Sequence, residues 1–471
     1  MKKYNIIQVG SFDVENFGDL LFPIVLEHEL GKRLPLDHLY LFSPNGGEMP
    51  FYHRHVYPAS DLDDFCQNHS IDGVIIGGGD TIRLDETVMP AYGTAFFPAL
   101  SFWQYPILIA DKYRTPSVFN SPGVPFDLAD YQNINYQNIV NSTIRMCSYL
   151  SVRDACAREN LIDSNSPDVH VVMDSVALIN NIYSKKSLEP KFLELKKKHH
   201  LESSFIVIQL SRIYIDKLDF LNRLVKIVEI INKKHNLQVV FSPIGYIHKD
   251  LDTLHELHSK VSSKNIIIEE KMSPETMLSL FYHSQGFIGT SLHGLITSTA
   301  YHVPILALHD GQNAHGYSKI QGFIDLCHFE NRIASTEDDV VKIFEQSFFQ
   351  PVDFTHFNNE RKKISHHFDR IAKIITSHEV IADPNNFISL LDSLYSLIKQ
   401  NQIKSEQLIA KYSDYDELKT KAAKYDELRK TDIFSNLEVT KEKLAQYDSI
   451  INSGLWKKSQ GLRNFFSKFS K

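Results

Sequence analysis

Between residues 4 and 308 the chain repeats one pattern: a short apolar run, a polar or glycine-bearing break, then a longer segment with apolar residues at helical spacing. Tyr4–Val9 reads as a buried strand that ends in Gly10-Ser-Phe-Asp-Val-Glu-Asn-Phe-Gly-Asp19, and an apolar helix is expected over Leu20–Leu30. Ile71–Ile76 is a second run, stopped by Gly77, Gly78 and Gly79 and followed directly by Asp80. Pro116–Val124 reads as a strand running into a turn. Tyr149–Asp154 adds a strand with Arg153 near its end and a helix after it, and Val169–Val176 carries Asp174 at its carboxyl end.

The pattern restarts after Lys185–His200, a lysine-rich stretch expected to be a linker. Ser204–Leu210 is a strand ending in Ser211 and Arg212, followed by a helical segment over Phe220–Lys234. Leu237–Gly245 comes next, with His248, Lys249 and Asp250 beyond it, then Asn265–Glu269 and a helix from Pro274 to Tyr282. Gly286–Gly289 is a strand that breaks at Thr290-Ser291, and Gly294–Tyr301 reads as a helix start with Thr290 or Ser291 as N-cap. Val303–Leu308 is one more strand, running into His309 and Asp310. Strand and helix in alternation predict an α/β protein of two doubly wound, Rossmann-like domains, residues 1–185 and 200–375. Two such domains in tandem, with ligands between facing strand ends, make the GT-B arrangement.

Composition narrows the class. The 471 residues are 43% hydrophobic and 23% charged, as in a globular protein long enough for two or three domains. A net charge of −7 excludes a nucleic-acid binder by bulk electrostatics. Cys66, Cys147, Cys156 and Cys327 are scattered, so neither a zinc knuckle nor a disulfide framework is suggested, and reduced, cytoplasmic thiols fit. The N-terminal apolar run is too short for a signal peptide, and no segment reaches the roughly 18 apolar residues of a membrane span.

Candidate chemistry gathers at the strand ends. The break at residues 289–294 places backbone N–H groups and a helix start where an anion can bind, with His293 in the break. Asn16 and Asp19 either cap the first helix or position a ligand hydroxyl. The loop is not GxGxxG, so a dinucleotide site is not indicated. Three consecutive glycines let a backbone or a ligand approach closely, with Asp80 beside them. Arg153 is either a salt-bridged strand end or an anion clamp, and Lys319 either a surface lysine or a second cation in the cleft. Histidines 293, 302, 309 and 315 are 9, 7 and 6 residues apart, which is no metal-binding pattern.

Over about residues 5–330 the chain resembles the polysaccharide pyruvyl transferase family. The resemblance rests on Asn16-Phe-Gly-Asp19, Gly77-Gly-Gly-Asp80, Ser151-Val-Arg-Asp154, Asp174, Gly289-Thr-Ser-Leu-His-Gly-Leu-Ile296 and Lys319-Ile-Gln-Gly-Phe323. It implies a GT-B-like fold and transfer of the carbon unit of phosphoenolpyruvate, a co-substrate rather than a cofactor, onto two hydroxyls of a sugar as a pyruvate ketal. On that reading His293 handles protons, with Asp80 as the second catalytic residue. Arg153, Arg212, Lys249, Ser291, Gly294 and Lys319 are expected to bind the donor, and Asn16, Asp19, Gly78 and Asp174 the acceptor, with no metal. One position departs from the family: some members carry arginine two residues before the motif histidine, and here that residue is Ser291. Two other functions remain open, a GT-B glycosyltransferase using a nucleotide sugar and a non-catalytic scaffold of a surface-glycan pathway.

Beyond Asp383-Pro-Asn-Asn386 the chain changes character. Residues 385–449 read as long helix, with Tyr412, Tyr415, Leu418, Ala422, Tyr425 and Leu428 at steps of three and four and Tyr-Asp-Glu-Leu present twice. A coiled coil, and hence a homo-oligomer, is expected. Residues 449–471 hold five Lys or Arg and no acid, so the other 448 residues carry 45 minus 57, or −12. Aromatics among those cations in 450–471 suit the surface of an anionic membrane, so a cytoplasmic protein peripheral to the inner face is expected, with a sugar or lipid-linked glycan as acceptor.

Overall fold

The computed structural model describes residues 2–82, 100–125, 134–161, 168–211, 218–246, 250–261, 265–309 and 319–380. The expected coiled coil over 385–449 and the tail over 450–471 lie outside the described residues. In the first half the strands are β1 (Tyr4–Val9), β2 (Leu36–Ser43), β3 (Gly47–Met49), β4 (Arg54–Pro58), β5 (Gly73–Ile76) and β6 (Ser117–Phe119). They form one sheet in the order β3-β4-β2-β1-β5-β6, parallel except between β3 and β4. Helices α1 (Phe17–Gly31), α2 (Leu62–Asn68), α3 (Tyr105–Lys112), α4 (Ile134–Arg145) and α5 (Ala155–Leu161) accompany it. Helix-covered parallel strands bury both rows of side chains, so β1 and β5 read as continuous apolar runs. Ile6, Ile7, Val9, Ile75 and Ile76 are all fully buried. β2 and β4 escaped that pattern because Asp37, His38 and His55 are exposed. Beyond β6, Val118 bridges to Tyr149, and β7 (Ser151–Val152) pairs with β8 (His170–Val171).

The stretch expected as a linker is a helix, α6 (Lys185–His199), capped by the Ser184 hydroxyl. Leu188, Phe192 and Leu195 make a buried stripe at helical spacing, while lysines, good helix formers, cover the solvent side. The second sheet holds β9 (Phe205–Gln209), β10 (Gln238–Phe241), β11 (Asn265–Ile267), β12 (Phe287–Gly289), β13 (Ile305–Leu308) and β14 (Ile333–Ala334). All are parallel, in the order β11-β10-β9-β12-β13-β14. Helices α7 (Leu218–Lys234), α8 (Asp250–Ser259), α9 (Pro274–His283), α10 (Leu292–Ala300), α11 (Lys319–Cys327) and α12 (Glu337–Ile343) complete this layer. Counted from its first strand the order is 3-2-1-4-5-6, so the winding reverses between β9 and β12. In the first sheet it reverses between β1 and β5. Such switch points are where doubly wound sheets hold ligands, at the carboxyl ends of the strands.

The last described helix, α13 (Thr355–Ser377), crosses back to the first half. Arg33 Nε pairs with Asp369 at 2.7 Å, and a Cβ at Gly73 would meet Ile375. The buried His367 lies 3.1 Å from both Asn120 Oδ1 and the Tyr149 hydroxyl. The chain therefore packs the last described helix of its second half back onto its first. Burial pushes the His367 imidazole down to about 3 from 6.5, helped by His170, Arg370 and Arg33. The unfolded chain thus binds the extra proton below about pH 6.5, and folding stability falls as pH drops from there toward 3. Thermal denaturation should show this decline, and His367→Gln, which has no titrating ring, should flatten it.

Candidate functional site

The second domain brings its switch point together through side chains at the ends of β9 and β12. Thr290 N donates to Gln209 Oε1 at 3.1 Å, and Ser211 N donates to Thr290 Oγ1 at 2.9 Å. Ser291 is extended and its hydroxyl accepts from Gly294 N at 3.3 Å, which makes it the N-cap of α10. Ser291 and Gly294, both expected to bind the donor, are thus bonded to each other. Gly294 is buried beneath Phe287, whose ring a Cβ would approach to 2.4 Å.

One residue into α10, His293 leaves its own domain. Its ring meets Phe22 edge-on at 5.3 Å, and a Cβ on Gly18 would fall 1.9 Å from Nδ1. Nε2 lies 3.4 Å from Asp174 Oδ2, and the imidazole is 13% exposed. Asp174 is itself buried, and its other oxygen accepts from Val176 N at 2.9 Å, capping the 3-10 turn Ser175–Asn181. Only glycine at position 18 leaves room for this approach. The switch point of one domain is therefore seated on the first turn of α1 in the other.

The first domain prepares that seat. Gly77, Gly78 and Gly79 have φ of +105°, +57° and +71°, a left-handed path that other residues rarely take. A Cβ at Gly78 would strike the Phe22 ring at 2.2 Å, and one at Gly79 would lie 2.7 Å from Asp19 Oδ1. The triplet thus packs against its own helix, with Gly78 facing Phe22. It brings Asp80 beside Asp19. Asn16 stands at the N-cap position of α1 but makes no capping side-chain bond; its Nδ2 donates to Asp19 Oδ2 at 2.8 Å. Asp80 pairs with Arg153 of the first domain and, at 3.0 Å, with Lys319 of the second. Arg153 is 3% exposed and also lies 3.4 Å from Asp154, whereas Lys319 is 27% exposed. Arg212 and Lys249 lie outside the described residues.

Two adjacent carboxylates end with opposite character. Burial opposes ionisation of Asp80, but Arg153 and Lys319 together hold its carboxyl far below the usual range. Burial pushes Asp19 up to about 6, with Asp80 adding to the rise and His293, Lys319 and the Asn16 bond opposing it. A group that titrates near the working pH exchanges protons most readily. Asp19, expected to touch the acceptor, is the carboxyl whose ionisation burial disfavours, and Asp80, expected to be catalytic, pairs with two cations.

The polysaccharide pyruvyl transferase family model matches residues 16–308. The chain belongs to the polysaccharide pyruvyl transferase family. The matched span opens on Asn16 and includes Asp19, Asp80, Arg153, Asp174 and His293, and Lys319 lies beyond it. No curated protein matches the sequence. Among solved structures, UDP-GlcNAc 2-epimerase from Methanocaldococcus jannaschii superposes with a TM-score of 0.53 at 15% identity, covering 80% of this chain and all (100%) of that one. UDP-N-acetylglucosamine 2-epimerase from Rickettsia bellii gives 0.50 at 13% identity, over 80% of this chain and 96% of that one. At such identity the likeness speaks for the fold alone: an α/β, GT-B-like pair of parallel sheets.

Because folding raises the Asp19 carboxyl from 3.8 to about 6, it costs stability that grows between those values and is complete above them. Asp19→Asn in this pyruvyl transferase family member should therefore raise the melting temperature at pH 8 and leave it unchanged below about pH 4.

Proposed function

We propose that the chain transfers the carbon unit of phosphoenolpyruvate onto two hydroxyls of a sugar, in a surface polysaccharide or its lipid-linked precursor, and releases phosphate. The observation that carries this reading is the approach of His293, with Asp174 at its Nε2, to Gly18 in the Asn16–Asp19 turn of a member of this family. The reaction moves protons in a fixed balance. The methylene carbon gains one to become a methyl group, two hydroxyls each lose one as C–O bonds form, and the C–O bond to phosphate breaks. The second hydroxyl proton leaves with the phosphate. An acid and a base from facing domains suit this sequence, and on this reading these parts fall to Asp19 and His293. His293 takes the hydroxyl proton, with Asp174 orienting its ring, and protonated Asp19 supplies the methylene. Lys319 and Arg153, gathered by Asp80, hold the anionic donor, joined by Arg212 and Lys249, while Asn16 and Gly78 flank the acceptor.

Ser291 supports a second reading. Without an arginine there, the donor is a nucleotide sugar and the enzyme a glycosyltransferase. Incubation with phosphoenolpyruvate or nucleotide sugars and candidate acceptors separates the two by phosphate or nucleotide release, and neither product would point to the scaffold. For the first reading, His293→Asn should lower turnover by roughly 10²–10⁴-fold with folding intact. Lys319→Ala should raise the phosphoenolpyruvate KM in a way that depends on ionic strength, because its ammonium is partly solvated.

The tail gives this reading a location. Among the described residues no helix is long and apolar enough to cross a membrane. Residues 450–471 interleave Lys457, Lys458, Arg463, Lys468 and Lys471 with Trp456, Phe465, Phe466 and Phe469. Each cation near an anionic leaflet contributes about 1 kcal/mol, and buried aromatics add attraction that salt does not screen. A coiled-coil homo-oligomer multiplies both by presenting several tails. Deleting 450–471 should release the protein from anionic liposomes and leave activity on a soluble acceptor unchanged.

A further inference from the structure

We propose that Asp250 is a positioning residue that sets both walls of the site at once, an inference that rests on the roles of His293 and Asp19 above. Asp250 opens α8 and is 1% exposed. One of its oxygens, Oδ2, accepts three hydrogen bonds: from Gln209 Nε2 at 2.7 Å, Ile244 N at 3.1 Å and Gly245 N at 2.9 Å. Three donors from two segments converge on this one oxygen, which makes it the firm point of the switch loop.

Two arms leave it. The first runs through Gln209. A side-chain amide donates from one end and accepts at the other, and only its NH₂ end can face a carboxylate. Asp250 therefore selects the amide orientation in which Oε1 receives Thr290 N at 3.1 Å. Thr290 leads into the Ser291 cap and so to His293. The second arm runs through Gly245, which pairs with Asn16 of the other domain in an isolated antiparallel bridge. Asn16 in turn donates to Asp19. One buried carboxylate thus holds the loop that carries His293 and, across the cleft, the turn that carries Asp19.

The geometry makes separable predictions for hydrogen exchange and for kinetics with phosphoenolpyruvate. Asp250→Ala should speed exchange in segments 10–19 and 286–296 and lower kcat about 10–100-fold, the scale of a small misplacement of reacting groups, with less change in KM. Asp19 is faced by His293, Asp80, Lys319 and Asn16. Loss of the Asn16 bond raises the Asp19 carboxyl further and should move the alkaline limb of the pH profile, where this acid loses its proton, upward. Asp250→Asn, whose carbonyl accepts the same bonds, should restore all three. Gln209→Ala cuts only the first arm, so it should loosen 286–296 and leave both 10–19 and the alkaline limb in place. Exchange rising uniformly along the chain, or confined to the neighbourhood of residue 250, would overturn the proposal. So would Asp250→Asn behaving like Asp250→Ala. Should Asp250→Ala not fold, Gln209→Ala decides, and an unloosened 286–296 counts against the proposal. Wild-type protein that releases no phosphate from phosphoenolpyruvate would overturn the donor reading instead, and the exchange pattern would still be read.

Discussion

The molecule depends on one close approach, the His293 imidazole over the hydrogen-only face of Gly18. A parallel sheet gathers its functional loops at the carboxyl ends of its strands, and a single sheet can offer only one wall of a cleft. Two sheets make a closed site when those ends face each other, and here they meet at van der Waals distance. Phe22 and Gly18 on α1 receive the ring, Asp174 lies 3.4 Å from its far nitrogen, and Gly78 and Gly79 let the neighbouring loop lie flat against the same helix. Each of these residues is small, aromatic or anionic for a reason that lies in the other domain or the other loop.

Charge is arranged with similar economy. Asp80 joins a buried guanidinium from its own domain to a partly solvated ammonium from the other. That grouping keeps a carboxylate between the two cations, while burial, with Asp80 adding to it, leaves the nearby Asp19 as the group whose ionisation is disfavoured. Two carboxylates pushed apart in this way are how one cleft can hold a fixed charge and a mobile proton together. Burying Asp19 beside Asp80 costs stability.

The clasp by α13 adds a mechanical element. It ties the chain that leaves the second domain to the sheet of the first, through Arg33, Gly73 and the buried His367. His367 meets Asn120, at the end of β6, and a Cβ on the nearby Gly123 would touch both Arg153 and Asp80. The clasp therefore reaches almost to the cation cluster.

By itself the sequence determined the class of fold and the strand ends at which the candidate residues lie. Continuous apolar runs ending in glycine or polar residues mark buried parallel strands and their carboxyl ends, because covered strands bury both faces. Hence β1, β5, β9 and β12, and with them Asn16, Asp80, Thr290 and His293, could be found by reading along the chain. Strands β2 and β4 were hidden by exposed polar residues, and α6 by the lysines on its outer side. Strand order, the return of α13 and the exchange of character between Asp19 and Asp80 were decided only by tertiary structure. A carboxyl's pKa is set by burial and by charges within a few ångströms, and Lys319, which holds Asp80 ionised, is 239 residues away along the chain. Composition and spacing carry no term for such a distance, whereas the meeting of two sheets does.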